Sequence, residues 1–117
     1  MAKILIAEDD ELTRYLLKSS LEHDNHNIAV VKNGREALEQ LFIDQPDMIL
    51  LDLMMPGIDG AEVIRTIRGT AELADTLIIV LTGIAKPENI AETASADLLL
   101  YKPLPIEDLL AHIHSFL

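Results

Sequence analysis

The chain has 117 residues, a formal net charge of -11, 50% apolar residues, 3% aromatic residues and no cysteine. That length allows one domain with a real core, not two, so residues 1–117 are read as a single domain. Without cysteine there is no disulfide scaffold, thiolate zinc site or thiol nucleophile. The negative charge argues against direct nucleic-acid binding, which rests on Lys and Arg neutralising phosphates, and against an acidic membrane surface. No apolar run approaches the ~20 residues of a membrane span. Met1-Ala2-Lys3 leads straight into a strand-like segment, so a cytoplasmic protein is expected.

Strand-like and helix-like segments alternate along the chain. Ile4 to Ala7 is a short apolar run, followed by a helical stretch from about Glu11 to His23 with Leu12, Leu16 and Ser20 along one stripe and Tyr15 beside it. Ile28 to Val31 reads as a second strand. Asn33-Gly34 leads into a helix from about Arg35 to Ile43 that carries Ala37, Leu38, Leu41 and Phe42, and Pro46 ends it. Met48 to Leu51 is a third strand, Pro56-Gly57 a turn, and Asp59 the N-cap of a helix bearing Val63, Ile64 and Ile67. Leu77 to Leu81 is a fourth strand. A weak helix after Pro87 has only Ile90, Ala91 and Ala94 to bury. Leu98 to Leu100 is a fifth strand, and Pro105 opens a last helix with Ile106, Leu109, Leu110, Ile113 and Leu117 at helical spacing. Five βα units whose strands are apolar throughout predict an α/β fold: a parallel sheet with helices on both faces.

In open α/β sheets ligands gather at the carboxyl ends of the strands. The first strand is followed by Glu8, Asp9 and Asp10, the third by Asp52, the fourth by Thr82 and Gly83, and the fifth by Lys102 and Pro103. Each has an ordinary use by itself: acids at a helix start, a turn aspartate, a strand-end threonine, a solvated lysine. Their joint placement points to a site. Clustered carboxylates without Cys or His suit Mg2+, with Mn2+ possible. A lysine can neutralise a phosphoryl group, a threonine hydroxyl can donate to it, and a carboxylate can act as nucleophile. The four histidines fit no such chemistry: His112 and His114 point to different sides of a helix, and His23 and His26 are expected in solvent near a helix end.

From about Lys3 onward the sequence resembles the receiver domains of two-component response regulators. The resemblance is carried by Ile4 to Glu11, by Leu50 to Gly60, by Val80-Leu81-Thr82-Gly83 and by Tyr101-Lys102-Pro103-Leu104, all four in order. It implies a flavodoxin-like fold with strand order 2-1-3-4-5. It further implies that Asp52 takes a phosphoryl group from the phosphohistidine of a sensor histidine kinase or a histidine phosphotransfer protein. Glu8, Asp9, Asp52 and the backbone carbonyl of Met54 would hold Mg2+, while Lys102 pairs with the phosphoryl group and Thr82 moves toward it. Lys102-Pro103 would be a cis peptide. Such a domain catalyses only its own phosphorylation and dephosphorylation, and acts as a switch, not as an enzyme on outside substrates.

The family pattern is departed from at Leu99, where the switch residue is usually aromatic; Tyr101 lies two residues on, on the same side of the strand. The resemblance further implies that Met54 and Ile84, two residues after Asp52 and Thr82, flank the route of the attacking water past Gly83; both are apolar and cannot orient it, so a long-lived aspartyl phosphate is expected. A phosphatase-like or Toprim-like Mg2+ enzyme would want a second acid where Met54 stands. A flavin site would want a phosphate-cradling loop where Glu8 to Glu11 lies. A degenerate docking receiver would not need the full acidic, threonine and lysine set. Partners are expected on the face of the fourth helix, fifth strand and last helix, or along the first helix near Leu12 to Leu21. A monomer or a phosphorylation-dependent dimer is expected, and the chain is either a stand-alone receiver or part of something longer.

Overall fold

A computed structural model of the chain describes residues 2–55, 57, 59–83, 86–87 and 90–117. Strands β1 (Lys3–Ala7), β2 (Asn27–Val31), β3 (Met48–Leu51), β4 (Leu77–Thr82) and β5 (Leu98–Tyr101) form one all-parallel sheet of order β2-β1-β3-β4-β5. Four α-helices accompany it among the described residues: α1 (Glu11–His23), α2 (Gly34–Ile43), α3 (Gly60–Gly69) and α4 (Ile106–Ser115). This is the expected flavodoxin-like order. It reverses direction between β1 and β3, the crevice where such sheets bind ligands.

Two apolar layers explain why the strands do not alternate in polarity. Leu5, Ala7, Ile49, Leu51, Ile78 and Val80 face a core shared with α2 and α3, through Ala37, Leu41, Val63, Ile64 and Ile67. Their neighbours Ile4, Ile6, Met48, Leu50, Ile79 and Leu81 face a second core with Leu17 and Leu21 of α1 and Leu109 and Ile113 of α4. A strand buried on both faces needs an apolar side chain at every position. The helices start on side-chain caps: Asp10, Asn33 and Asp59 accept the backbone N–H of Thr13, Glu36 and Glu62. At α2 the Glu36 carboxylate also accepts the N–H of Lys32, the residue before the Asn33 cap, at 3.0 Å, which ties the incoming chain to the first turn.

Three expectations change. On α1 the buried residues are Leu17 and Leu21, while Leu12, Tyr15 and Leu16 stand exposed. The strip read from Leu12, Leu16 and Ser20 is thus turned by about one residue, because the pattern Leu16-Leu17 offers two adjacent apolar faces and packing on the sheet selects one. Phe42, read as part of the α2 face, is likewise exposed. The helix expected after Pro87 is, in its described part, a 3-10 turn over Ala91–Ser95. Buried Thr93 turns its hydroxyl back to the carbonyls of Ile90 and Pro87, an alternative to continued helical bonding, and there is little apolar surface to reward a longer helix. Pro56, Ile58, Ile84, Glu88 and Asn89 lie outside the described residues.

Arg68 compensates for the shortened connection. Its guanidinium donates to the carbonyls of Ala74 (2.9 Å), Thr76 (2.7 Å) and Ser95 (3.1 Å) and to the Asp97 carboxylate (3.0 Å). The same Asp97 oxygen accepts the Ile78 N–H at 2.7 Å. One planar cation thus joins the end of α3, the entry to β4 and the entry to β5. Arg68→Met should lower stability by about 2–3 kcal/mol, measured by urea unfolding, because it strands several half-buried acceptors. Arg68→Lys should recover less than half of that, since an ammonium cannot reproduce the fork.

Candidate functional site

Backbone bonds carry the sheet one residue past each strand and so place the polar groups. The Glu8 N–H donates to Val31 O at 3.1 Å, the Asp52 N–H to Ala7 O at 3.0 Å, and the Lys102 N–H to Thr82 O at 2.9 Å. Glu8, Asp52 and Lys102 therefore meet at the carboxyl edge, across the β1–β3 switch point. Lys102 Nζ donates to Glu8 Oε1 at 2.6 Å and to Asp52 Oδ2 at 3.0 Å. One carboxylate oxygen each from Glu8, Asp9 and Asp52 lies within 4.8 Å of the others. Glu8 and Asp52 are buried, and Asp9 is exposed at the mouth.

The loops around this pocket are held by hydrogen bonds to its own members. The Asp10 N–H donates to Glu8 Oε2 at 3.1 Å, and Arg14 Nη1 donates to the Glu8 carbonyl at 2.8 Å. The Asp10 carboxylate takes both the N–H and the hydroxyl of Thr13, which starts α1 immediately beside the site. The Met54 N–H donates to Asp52 Oδ1 at 3.0 Å, while its side chain is largely exposed. Gly60 opens α3 where a Cβ would stand 2.7 Å from the Leu53 Cα and 3.0 Å from the Asp52 carbonyl oxygen, so only glycine lets α3 pack this close behind Asp52.

Three carboxylates against one ammonium leave the pocket negative. Burial pushes the Glu8 carboxyl up from its ordinary value, against the lowering effect of its hydrogen bonds from Lys102 and Asp10. Burial pulls Lys102 down, but hydrogen bonds and charge from Glu8 and Asp52 outweigh it and hold the ammonium above its usual value. Asp10 is lowered by its hydrogen bonds from Thr13. The donor set consists of hard oxygen atoms in a space too negative to be content with one lysine. It fits a small divalent cation such as Mg2+.

The other residues singled out in the sequence are distributed around this centre. Thr82 is fully buried at the end of β4, and Gly83 follows it in the open. On β5, Leu99 pairs in register with Val80 and packs half-buried against the α2–α3 core. Tyr101 pairs with Thr82 and is about half exposed. Lys102-Pro103 is cis, as expected. Ile84 lies outside the described residues. His26, expected in solvent, is instead half-buried against His114, a contact between residues 88 apart that no local pattern signals. No sequence pattern signals the contact of Arg14 with the Glu8 carbonyl, whereas Gly60 closes the Leu50 to Gly60 stretch, directly after the Asp59 cap.

Residues 4–114 match the family model of the response regulator receiver domain. The chain belongs to that family. It is 39% identical over 117 residues to the response regulator MprA of Mycolicibacterium vanbaalenii, covering 98% of this chain and 50% of the relative. It thus spans about half the length of the curated relatives it matches. Among solved structures it is similar to the response regulator TrrA of Thermotoga maritima in complex with Mg2+-BeF, at 32% identity, TM-score 0.88 and full coverage of both chains. It is also similar to the chemotaxis response regulator CheY4 of Vibrio cholerae, at 30% identity and TM-score 0.90, covering 100% of this chain and 99% of that one. The chain is a signalling receiver, and its acidic pocket fits a Mg2+-binding phosphoacceptor site. Met54, standing where a second acid would be needed, speaks against the phosphatase-like and Toprim-like alternatives.

Removing the ammonium should expose how much the pocket relies on it. Lys102→Met should destabilise the metal-free protein by about 2–4 kcal/mol, because two buried carboxylates lose their shared counter-charge. Millimolar Mg2+ should restore at least half of the loss, read as the thermal or urea midpoint with and without the ion.

Proposed function

We propose that Asp52 is the phosphoacceptor and that Glu8, Asp9, Asp52 and the Met54 backbone carbonyl hold Mg2+, or Mn2+ in its place. The observation that carries this reading is the bridge from Lys102 to both Glu8 and Asp52 inside the three-carboxylate cluster. A cation bound there supplies charge neutralisation for the incoming phosphoryl oxygens. An Asp52 carboxylate oxygen attacks phosphorus, the bond from phosphorus to the donor's imidazole nitrogen breaks, and that imidazole leaves, to be protonated by solvent. Lys102 shifts its contact from the Asp52 carboxylate to a phosphoryl oxygen. The Thr82 hydroxyl donates to another, which couples the modification to β4 and β5.

The donor is a sensor histidine kinase or a histidine phosphotransfer protein. Leu12, Tyr15 and Leu16 form an exposed apolar strip on α1, beside a groove lined by Thr13, Pro103, Leu104 and Ile106 that ends at Lys102. Such a strip suits the apolar face of a partner helix next to the phosphohistidine. Downstream partners would use the face of the Ala91–Ser95 turn, β5 and α4, where Leu98, Leu99 and Leu100 are only half-buried. The module works as one domain over residues 1–117, monomeric or dimerising when phosphorylated, in the cytoplasm, with neither nucleic acid nor membrane as its direct partner. It turns over no outside substrate. No helix among the described residues is long and apolar enough to cross a membrane.

Incubation with acetyl phosphate and Mg2+ should add one phosphoryl group by intact mass, and Asp52→Asn should abolish the gain. Equal labelling of that variant would overturn the assignment. A second expectation concerns lifetime. Met54 at the mouth has no group to hold an attacking water, so Met54→Asn should shorten the aspartyl phosphate half-life several-fold, about 1 kcal/mol in the hydrolysis barrier. An unchanged half-life, followed by loss of the phosphoprotein band with time, would count against water access at this position.

A further inference from the structure

The amino-terminal edge of the sheet, opposite the acidic pocket, carries a second cluster of potential ligands. His26 lies between the turn that ends α1 and the start of β2, after Asn25 in the left-handed region at φ 67°. His114 is in the last turn of α4. Their Nε2 atoms are 3.3 Å apart, with ring centroids 5.4 Å apart and planes tilted by 33°. Asp24, the C-cap of α1, brings Oδ2 to 3.4 Å from His114 Nε2.

For a four-coordinate ion bound at about 2.0–2.1 Å, tetrahedral angles set neighbouring donor atoms about 3.3–3.4 Å apart. Both observed separations match that edge. We propose that His26 and His114 form a bidentate site for a borderline divalent transition ion, represented by Zn2+, with Asp24 as third ligand and water completing the shell. Among the described residues only Glu8, Asp9 and Asp52 already bring three ligand atoms within 4.8 Å of one another. Asp24 must therefore rotate to close the set, and its side chain, 39% exposed, has room to do so.

Proton placement sets the terms of binding. The Ala2 N–H donates to His26 Nδ1 at 3.2 Å, so in the metal-free pair the His26 proton sits on Nε2 and is shared with His114 Nε2. A cation takes the place of that shared proton. His26 then carries its proton on Nδ1, facing the Ala2 N–H, so binding costs that hydrogen bond and requires Ala2 or the ring to turn aside. Burial, and next to it the neighbouring His114, holds His26 below its ordinary value. Nitrogen donors separate this site chemically from the all-oxygen pocket, which suits Mg2+. Occupancy would tie the turn after α1 to the end of α4 and stabilise the folded chain by linkage.

The test is a Zn2+ titration of the whole chain at neutral pH with Mg2+ saturating the acidic pocket. Thermal midpoint and histidine side-chain 15N resonances are the readouts. The expected result is a rise in midpoint, with the His26 and His114 signals shifting together. His26→Gln and His114→Gln should each abolish the rise, Asp24→Asn should weaken binding roughly tenfold, and Asp52→Asn should leave it intact. No movement of either histidine signal up to millimolar Zn2+ would overturn the proposal. So would a midpoint rise that survives both histidine variants or disappears in Asp52→Asn.

Discussion

Glu8 and Asp52 share the Lys102 ammonium at the point where the sheet reverses its strand order, with the Asp9 carboxylate beside them. This arrangement is costly for a folded chain, because Glu8 and Asp52 are nearly sealed from water and, among the described residues, share Lys102 as counter-charge, with one backbone N–H each from Asp10 and Met54. It persists because each group is fixed by backbone bonds that extend the strands, not by its own side-chain preferences. The ladder from β2 to β5 is therefore a precondition of the chemistry. The negative charge left over beside Lys102 suits a small divalent cation.

The surroundings of the pocket differ on its two sides. On one side α1 and α3 begin on Asp10 and Asp59, and Gly60 lets α3 press against the chain behind Asp52. On the other side the connection from β4 to β5 is reduced, in its described part, to a 3-10 turn held to α3 by Arg65–Glu92 at 2.7 Å and by the Arg68 fork. Tyr101 is the registered neighbour of Thr82 on β5, while Leu99 lies two pairs back, opposite Val80 and packed against the core. The half-exposed Tyr101 ring thus stands nearer the site than the Leu99 side chain.

Much of the fold could be read locally. Apolar runs of three to five residues, punctuated by Asn33-Gly34, Pro46 and Pro105, located the five strands to within a residue at either end and the starts of four helices. Burial on both sheet faces followed from the lack of alternation. Local reading failed where packing chooses between nearly equivalent options. Leu16-Leu17 presents two adjacent faces, and only contact with the sheet decides that Leu17 turns inward. The segment after Pro87 has too little apolar surface to decide its own state, so Thr93 and the two arginines of α3 decide it.

For the site, the sequence by itself determined which chemical groups follow which strands: acids after the first and third, a hydroxyl after the fourth, an ammonium after the fifth. Polarity at a strand end is a local property, so it survives without coordinates, and the four motifs in order were enough to indicate the family. Only the tertiary structure decided which of those groups touch. The Lys102 contact to both Glu8 and Asp52, the Arg14 hold on the Glu8 carbonyl and the His26–His114 pair join residues from 6 to 94 apart in sequence. Such contacts depend on strand order and on the angle at which each helix lies on the sheet. Those are set by the summed packing of two cores, and no short stretch of sequence encodes them.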